Sequence, residues 1–138
     1  MAQKNRLEGG LINRKNPWAF EFNGQPMHGF EGDTLASALL ANDVRLVGRS
    51  FKYHRPRGMI SAGSEEPNAI VELRTGSRKE PNSRATTIEL YDGLVAHPQN
   101  CWPSLNFDFL GINDLLAPFL TAGFYYKTFM WPSVFWEK

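Results

Sequence analysis

The sequence has very little cysteine, and Cys101 is the one thiol in 138 residues. A single cysteine excludes an intramolecular disulfide and is typical of proteins from reducing compartments. No apolar stretch approaches the roughly 18 residues of a membrane span, and residues 1–17 lack the apolar core of a secretory signal peptide. The net charge of +1 gives no overall attraction to nucleic acid or membrane. We therefore expect a cytoplasmic protein that binds neither.

Several motifs that carry chemistry are also missing. There is no Gly-x-Gly-x-x-Gly loop, Walker loop, nucleophile elbow or pair of carboxylates at catalytic spacing. His28 and His97 have no companions at the spacing of metal ligands, and Cys101 has no basic neighbour in the sequence. We therefore predict no catalytic residue and no metal site in this chain.

What is present is the composition of a globular protein, with 42% hydrophobic and 21% charged residues. Asn23 and Gly24 separate two short apolar runs, at residues 18–22 and 25–30, which predicts a β-hairpin. A helix with an apolar stripe follows, with Asp33 as the expected N-cap. Later β-rich runs predict strands at residues 68–74, 86–90 and 94–96.

The order of hairpin, helix, long loop and strands predicts an α+β fold of the β-grasp type over residues 17–97. Residues 1–16, with a Gly-Gly pair and mixed charges, are predicted to form a mobile arm. Residues 98–138 are predicted to be an aromatic-rich extension with one short helix at about residues 112–120.

The extension holds most of the aromatic side chains: of 18 in the sequence, 11 lie between Trp102 and Trp136. Left in water on an isolated domain, they would form a large exposed apolar patch. They either fold back on the β-grasp core or pack against a domain or subunit absent from this chain. We favour the second interpretation.

A basic strip at residues 45–57 is the remaining candidate site. Between its first and last arginine it contains no acid, and Phe51 and Tyr53 interleave with the cations. Such a strip could stack nucleic-acid bases or bind the phosphates of a flavin or nicotinamide cofactor. It could equally pair with acids of a partner, or with Glu65 and Glu66, which is the interpretation we favour. The weak candidates for cofactor contacts are Arg49, Lys52, His54, Arg55 and Arg57.

Residues 48–73 resemble the cluster-binding loop of plant-type two-iron two-sulfur ferredoxins from which the cysteines have gone. Such a cluster needs thiolates at C-x4-C-x2-C spacing, with a fourth elsewhere. Related ferredoxin-like domains read PRG-x-x-C-x4-C-x2-C, and this chain has Ser61, Glu66 and Ala69 at the three positions. We therefore predict a β-grasp domain without the cluster.

Segments along nearly the whole chain resemble the N-terminal region of the α subunit of heterotetrameric sarcosine oxidase. They are GDTLASALLAND at 32–43, VGRSFKYHRPRG at 47–58, SEEPNAIVEL at 64–73, ELYDGL at 89–94, QNCWPSL at 99–105 and AGFYYKTFMWP at 122–132.

The resemblance implies a larger α subunit, in which a nucleotide-binding domain and then a folate-binding domain follow this one. It implies β, γ and δ subunits as partners, and oxidative demethylation of sarcosine to glycine with NAD, FAD, FMN and tetrahydrofolate, with formation of peroxide. None of that catalytic equipment maps to a residue here, so we expect the 138-residue chain by itself to be inactive and to serve as a structural and interaction domain. The alternatives are an independent anion- or nucleotide-binding module that uses residues 45–57, or the equivalent domain of a related amino-acid dehydrogenase.

Overall fold

A computed structural model of the chain describes residues 3–118. The elements are β1 (Asn13–Phe22), β2 (Gln25–Glu31), α1 (Leu35–Ala41), β3 (Gly48–Arg49), β4 (Pro56–Arg57), β5 (Ile70–Thr75), β6 (Arg78–Arg84), β7 (Leu94–Pro98), a 3-10 turn (Phe109–Gly111) and α2 (Ile112–Leu115). Five of the strands form a sheet in the order β2-β1-β7-β5-β6, in which β1 and β7 are parallel and the other neighbours are antiparallel. A two-stranded sheet pairs β3 with β4.

The predicted hairpin is present. Asn23 and Gly24 form its turn with φ angles of 54° and 75°, a conformation that asparagine and glycine adopt with little strain. The strand before the turn begins at Asn13, earlier than the predicted start of the domain at residue 17. The mobility predicted for residues 1–16 stays a prediction, although Arg6 contacts the folded unit through Asp33.

The core lies between the five-stranded sheet and α1. Phe20 and Phe22 alternate with polar residues along β1 and bury their rings in one cluster with Leu35 and Leu39 of the helix. Helix and sheet approach closely at Gly29, where a Cβ atom would lie 3.0 Å from Ala38 Cβ of the helix and 2.4 Å from Leu90 Cδ2. A larger residue at position 29 would therefore push the two layers apart.

The helix cap differs from the prediction. Thr34, and not Asp33, is the N-cap of α1, and it forms a capping box with Ser37. Asp33 is buried, and its carboxylate turns back to accept hydrogen bonds from the Phe30 N–H and from the Arg6 guanidinium. Aspartate and threonine are both good N-cap residues. Because the Asp33 carboxylate is bonded to Phe30 of the hairpin and to Arg6 of the arm, Thr34 caps the helix.

The later strands are partly as predicted. Strands β5 and β7 fall where alternation placed them, but the strand predicted at residues 86–90 is wrong, since that segment forms a single bridge between Glu89 and Thr34. Leu90 of this segment is buried in the same core cluster as the helix residues. Strand β6 was missed, because it is an exposed polar edge strand that pairs through its backbone alone and shows no apolar alternation.

A mixed sheet with one helix packed across it is an α+β arrangement, as predicted. No helix within residues 3–118 combines the length and the apolar character that a membrane crossing needs. The predicted short helix of the extension appears as the 3-10 turn followed by α2. The end predicted for that helix, at residue 120, and the aromatic side chains from residue 119 onwards lie outside the described residues.

Candidate functional site

Residues 59–69, here called the Glu66 loop, connect β4 to β5 and fold around one carboxylate. Glu66 has no exposed surface. Each of its two carboxylate oxygens accepts hydrogen bonds from two backbone N–H groups. One oxygen is bonded to the beginning of the loop and the other to its end. Oε2 accepts from Ile60 (2.8 Å) and Ser61 (2.6 Å), and Oε1 accepts from Asn68 (2.7 Å) and Ala69 (3.2 Å).

These bonds decide the charge of the carboxylate. Burial by itself would raise the pKa of Glu66. The backbone N–H groups of Ser61, Asn68, Ile60 and Ala69 outweigh burial and lower that pKa from 4.5 to about 2. Glu66 is therefore an anion at neutral pH, and the charge is balanced by oriented N–H dipoles and not by a cation.

Residues outside the loop fix its path. The Arg84 Nε donates to the backbone carbonyl of Glu66 (2.8 Å), and the Thr86 hydroxyl donates to the carbonyl of Gly63 (2.6 Å). Sequence reasoning missed both residues, because Arg84 ends β6, a strand that its polar pattern did not reveal, and Thr86 lies just beyond it. The glycine of the PRG motif, Gly58, is required by space, since a Cβ there would lie 2.3 Å from the carbonyl oxygen of Arg45.

Two residues of the basic strip contact one buried carboxylate of the extension. His54 Nδ1 lies 2.7 Å from Asp108 Oδ2, and Arg49 Nε lies 3.6 Å from the same oxygen. The Asp108 side chain is fully buried. We call Arg49, His54 and Asp108 the Asp108 latch, because they join the loop between β3 and β4 to residues 98–118.

Asp108 also organises its own segment. It accepts hydrogen bonds from the backbone N–H groups of Trp102 and Leu110. Burial raises the pKa of Asp108, but these N–H groups and His54 outweigh burial and hold the pKa below its usual range. Asp108 is therefore the buried anion of the latch, and hydrogen bonds surround it.

The rest of the strip is tied to residues of this chain as well. Arg55 pairs with Asp114 (2.6 Å), Arg45 pairs with Asp43 (3.1 Å), and Arg57 donates to the Asn68 side chain (2.9 Å). The ammonium of Lys52 and the guanidinium of Arg55 lie over the Tyr53 ring. Within residues 3–118, the acids paired with the strip are thus Asp43, Asp108 and Asp114, and the predicted pairing with Glu65 or Glu66 is not among these ion pairs. The predicted pairing with acids of a partner stays a prediction.

The strip borders a cleft of about 260 Å³. Arg49, Arg57 and Phe51 line it, together with Asn68 and Gln99. Pockets that enclose drug-sized ligands have roughly 300–1,000 Å³. A cleft of this size is too small to enclose a dinucleotide, although its arginines could contact a small anion.

Exposed apolar side chains follow the latch. Within the part of the chain that the structure describes, Trp102 is 60% exposed, Phe107 62% and Leu115 79%. The Phe109 ring contacts both of these rings: its centroid lies 5.4 Å from that of Trp102 in a tilted arrangement, and 5.0 Å from that of Phe107 in an edge-to-face arrangement. We call this surface the apolar ridge: Trp102, Phe107, Phe109, Leu110, Ile112, Leu115 and Leu116.

Comparison with known proteins identifies the domain. Residues 15–101 match the family described as the 2Fe-2S iron-sulfur cluster binding domain. The chain belongs to this family. The crystal structure of L-proline dehydrogenase from P. horikoshii is similar to this family member over 70% of the chain and 18% of that protein, with a TM-score of 0.50 and 24% identity. This likeness concerns the fold alone, and the α+β, ferredoxin-like prediction is confirmed at that level.

Longer relatives share the sequence of this family member. It is 65% identical over 129 residues to the sarcosine oxidase subunit alpha of Rhizobium meliloti (strain 1021), which is 94% of this chain and 13% of that protein. It is 43% identical over 91 residues to the sarcosine oxidase subunit alpha of Corynebacterium sp. (strain U-96), which is 64% of this chain and 9% of that protein. The predicted resemblance to sarcosine oxidase alpha subunits is confirmed. The chain spans about an eighth or less of the length of these relatives.

The donors of this family member do not fit the cluster that the family name implies. A two-iron cluster takes thiolate ligands, whereas the loop presents the Ser61 hydroxyl, the Glu66 carboxylate and the methyl group of Ala69. Burial, and then the charge of Asp108, raise the pKa of the Cys101 thiol, which disfavours its thiolate. Residues 3–118 also contain no group of three or more His, Cys, Asp or Glu side chains that could hold a metal ion.

Proposed function

We propose that this chain is a non-catalytic structural and interaction domain of a sarcosine oxidase alpha subunit, and that it has lost the iron–sulfur cluster of its family. The identity of 65% to such a subunit supports the assignment. The misfit of Ser61, Glu66 and Ala69 as iron ligands supports the loss of the cluster.

In this proposal the chemistry belongs to the remainder of the enzyme. The holoenzyme would demethylate sarcosine to glycine with NAD, FAD, FMN and tetrahydrofolate, and the rest of the alpha subunit and the β, γ and δ subunits would be the partners. The chain's own residues would hold an interface in place, and the sequence has no phosphate-binding glycine loop. The division into an arm at 1–16, a domain at 17–97 and an extension at 98–138 is part of the proposal.

The observation that carries the proposal is the apolar ridge on a fixed base. Leu105 is buried in the core, and the Asp108 latch ties the same segment to the loop between β3 and β4. The exposed rings are therefore presented by an anchored backbone, which limits the entropy that ordering them at an interface would cost. Exposed apolar side chains grouped in one short segment in this way mark an interaction surface.

The occupant we propose for the ridge is the remainder of the alpha subunit. Most of the length of the Rhizobium relative lies outside the matched region. Burying one large apolar side chain stabilises an interface by very roughly 1.5–3 kcal/mol. Trp102, Phe107 and Phe109 together could thus dominate a domain contact.

The independent anion-binding module considered from the sequence has less support. Arg49, His54 and Arg55 are engaged with the extension. Their contacts link two parts of one chain, which agrees with a structural role of the basic strip.

To test the ridge, Phe109→Ala is placed in a full-length Rhizobium alpha subunit that carries this sequence over its matched region, assembled with its partner subunits. We expect a loss of about 1.5–3 kcal/mol in stability of the assembled subunit, with an unchanged KM for sarcosine. Tyr91→Ala is the matched control, because this ring is also exposed but lies outside the ridge.

Hydrogen exchange gives the second measurement. Amides 107–116 should exchange at least tenfold more slowly in the hybrid subunit than in the 138-residue chain. Equal exchange in the two proteins, or equal effects of Phe109→Ala and Tyr91→Ala, would contradict the proposed interface.

A further inference from the structure

We propose that the Glu66 carboxylate has taken the place of the iron–sulfur cluster as the anion around which the loop of this family folds. The inference rests on the proposed loss of the cluster and names the group that replaces the cluster structurally. In this chain the loop would hold its shape through one of its own side chains and would need no cofactor.

The first argument comes from the direction of the backbone N–H groups. Those of Ile60 and Ser61 and those of Asn68 and Ala69 converge from the two ends of the loop on one buried point. Converging N–H dipoles in a buried place bind anions, and without an acceptor each would cost about 1–3 kcal/mol. The loop therefore requires an anion at its centre.

The second argument is the way in which Glu66 meets this requirement. A carboxylate has two oxygens with two acceptor sites each, and every one of these sites has a backbone donor within 3.2 Å. The Ser61 hydroxyl also donates a hydrogen bond to Oε2, at 3.2 Å. The interior of the loop is thus filled by protein atoms, and the negative charge belongs to a side chain of the loop itself.

The third argument is that the backbone of Glu66 is held independently. Arg84 Nε donates to its carbonyl oxygen, and the Thr86 hydroxyl closes the loop on Gly63. These contacts with the last residue of β6 and with Thr86 just beyond it therefore fix the backbone from which the Glu66 side chain points inward. Glu65, the preceding residue, has the same chemistry but is exposed.

The test compares Glu66→Gln with Glu65→Gln in the 138-residue chain. Glutamine keeps the shape of Glu66 but removes the charge, and its NH2 group faces N–H groups that need an acceptor. We expect exchange of the amides of Ile60, Ser61, Asn68 and Ala69 to accelerate at least tenfold in Glu66→Gln and to stay unchanged in Glu65→Gln. Amides of β5 serve as the internal reference for the global fold.

The wild-type chain provides a second measurement that does not depend on a variant folding. After treatment with a strong chelator under reducing conditions, the same four amides should keep their protection. A loss of protection on chelation, or equal exchange in Glu66→Gln and Glu65→Gln, would overturn the inference. If Glu66→Gln leaves the loop closed in a chain that binds no cluster, the loss of the cluster stands and only the role of Glu66 falls.

Discussion

Replacing Asp33 with alanine is expected to lower the free energy of unfolding by about 3–5 kcal/mol, the usual cost of breaking a buried ion pair by removing one partner. The Asp33 side chain is 1% exposed, and it accepts hydrogen bonds from Arg6 at 3.0 and 2.7 Å and from the Ser37 hydroxyl at 2.7 Å. It also accepts from the Phe30 N–H, so it joins the arm, the hairpin and the helix. Its loss should weaken all three junctions.

Urea unfolding measures this effect, with Asp114→Ala as the control. Asp114 forms an ion pair with Arg55, but both side chains are about half exposed, so its removal should cost less than about 1 kcal/mol. Equal effects of the two substitutions would contradict the account.

The stability contributed by Asp33 also depends on pH. Burial raises the pKa of Asp33, but hydrogen bonds from Arg6, Ser37 and Phe30 outweigh burial and hold that pKa below 3.8. A depressed carboxyl pKa stabilises the fold above the unfolded value, and this contribution is lost as the pH falls below about 3.8. Asp33→Ala should therefore show a shallower loss of stability in acid than the wild type.

Opening the Asp108 latch is the second large effect. Asp108→Ala leaves His54 and Arg49 without their shared acid and frees the backbone N–H groups of Trp102 and Leu110. We expect a loss of about 3–5 kcal/mol, and exchange in residues 101–111 that is at least tenfold faster than in the wild type.

The control for the latch is again Asp114→Ala, which removes an exposed contact between the same two segments. Slow exchange at residues 101–111 in Asp108→Ala would show that the latch does not anchor the extension. The apolar ridge would then lack the fixed base on which the proposed interface depends.

The elements that could be predicted are those whose signal is local. Asn23 and Gly24 lie between two apolar runs, and β7 alternates, so both were recovered from neighbouring residues. Strand β6 could not be recovered, because its pairing with β5 uses backbone atoms alone. The strand predicted at residues 86–90 was wrong for the opposite reason: the residue types of this segment favour a strand, but they pack against α1 without joining the sheet.

The sequence pointed to the loop but not to its arrangement. The resemblance to cluster-binding loops implied that Ser61, Glu66 and Ala69 stand at the ligand positions, and the loss of the cluster stays a prediction. The sequence could not show that Glu66 turns inward while Glu65 stays exposed, because the two are neighbours of the same type. Likewise, two of the acids that pair with the basic strip, Asp108 and Asp114, are more than 50 residues away along the chain from their partners, and only the fold brings them together.

The most direct test of the central claim is anaerobic reconstitution of the purified chain with iron and sulfide, followed by desalting, iron analysis and visible absorption. A loop that folds around Glu66 and presents no thiolate at positions 61, 66 and 69 should retain no iron in stoichiometric amount and show no charge-transfer band. A stoichiometric cluster that survives desalting would contradict the account.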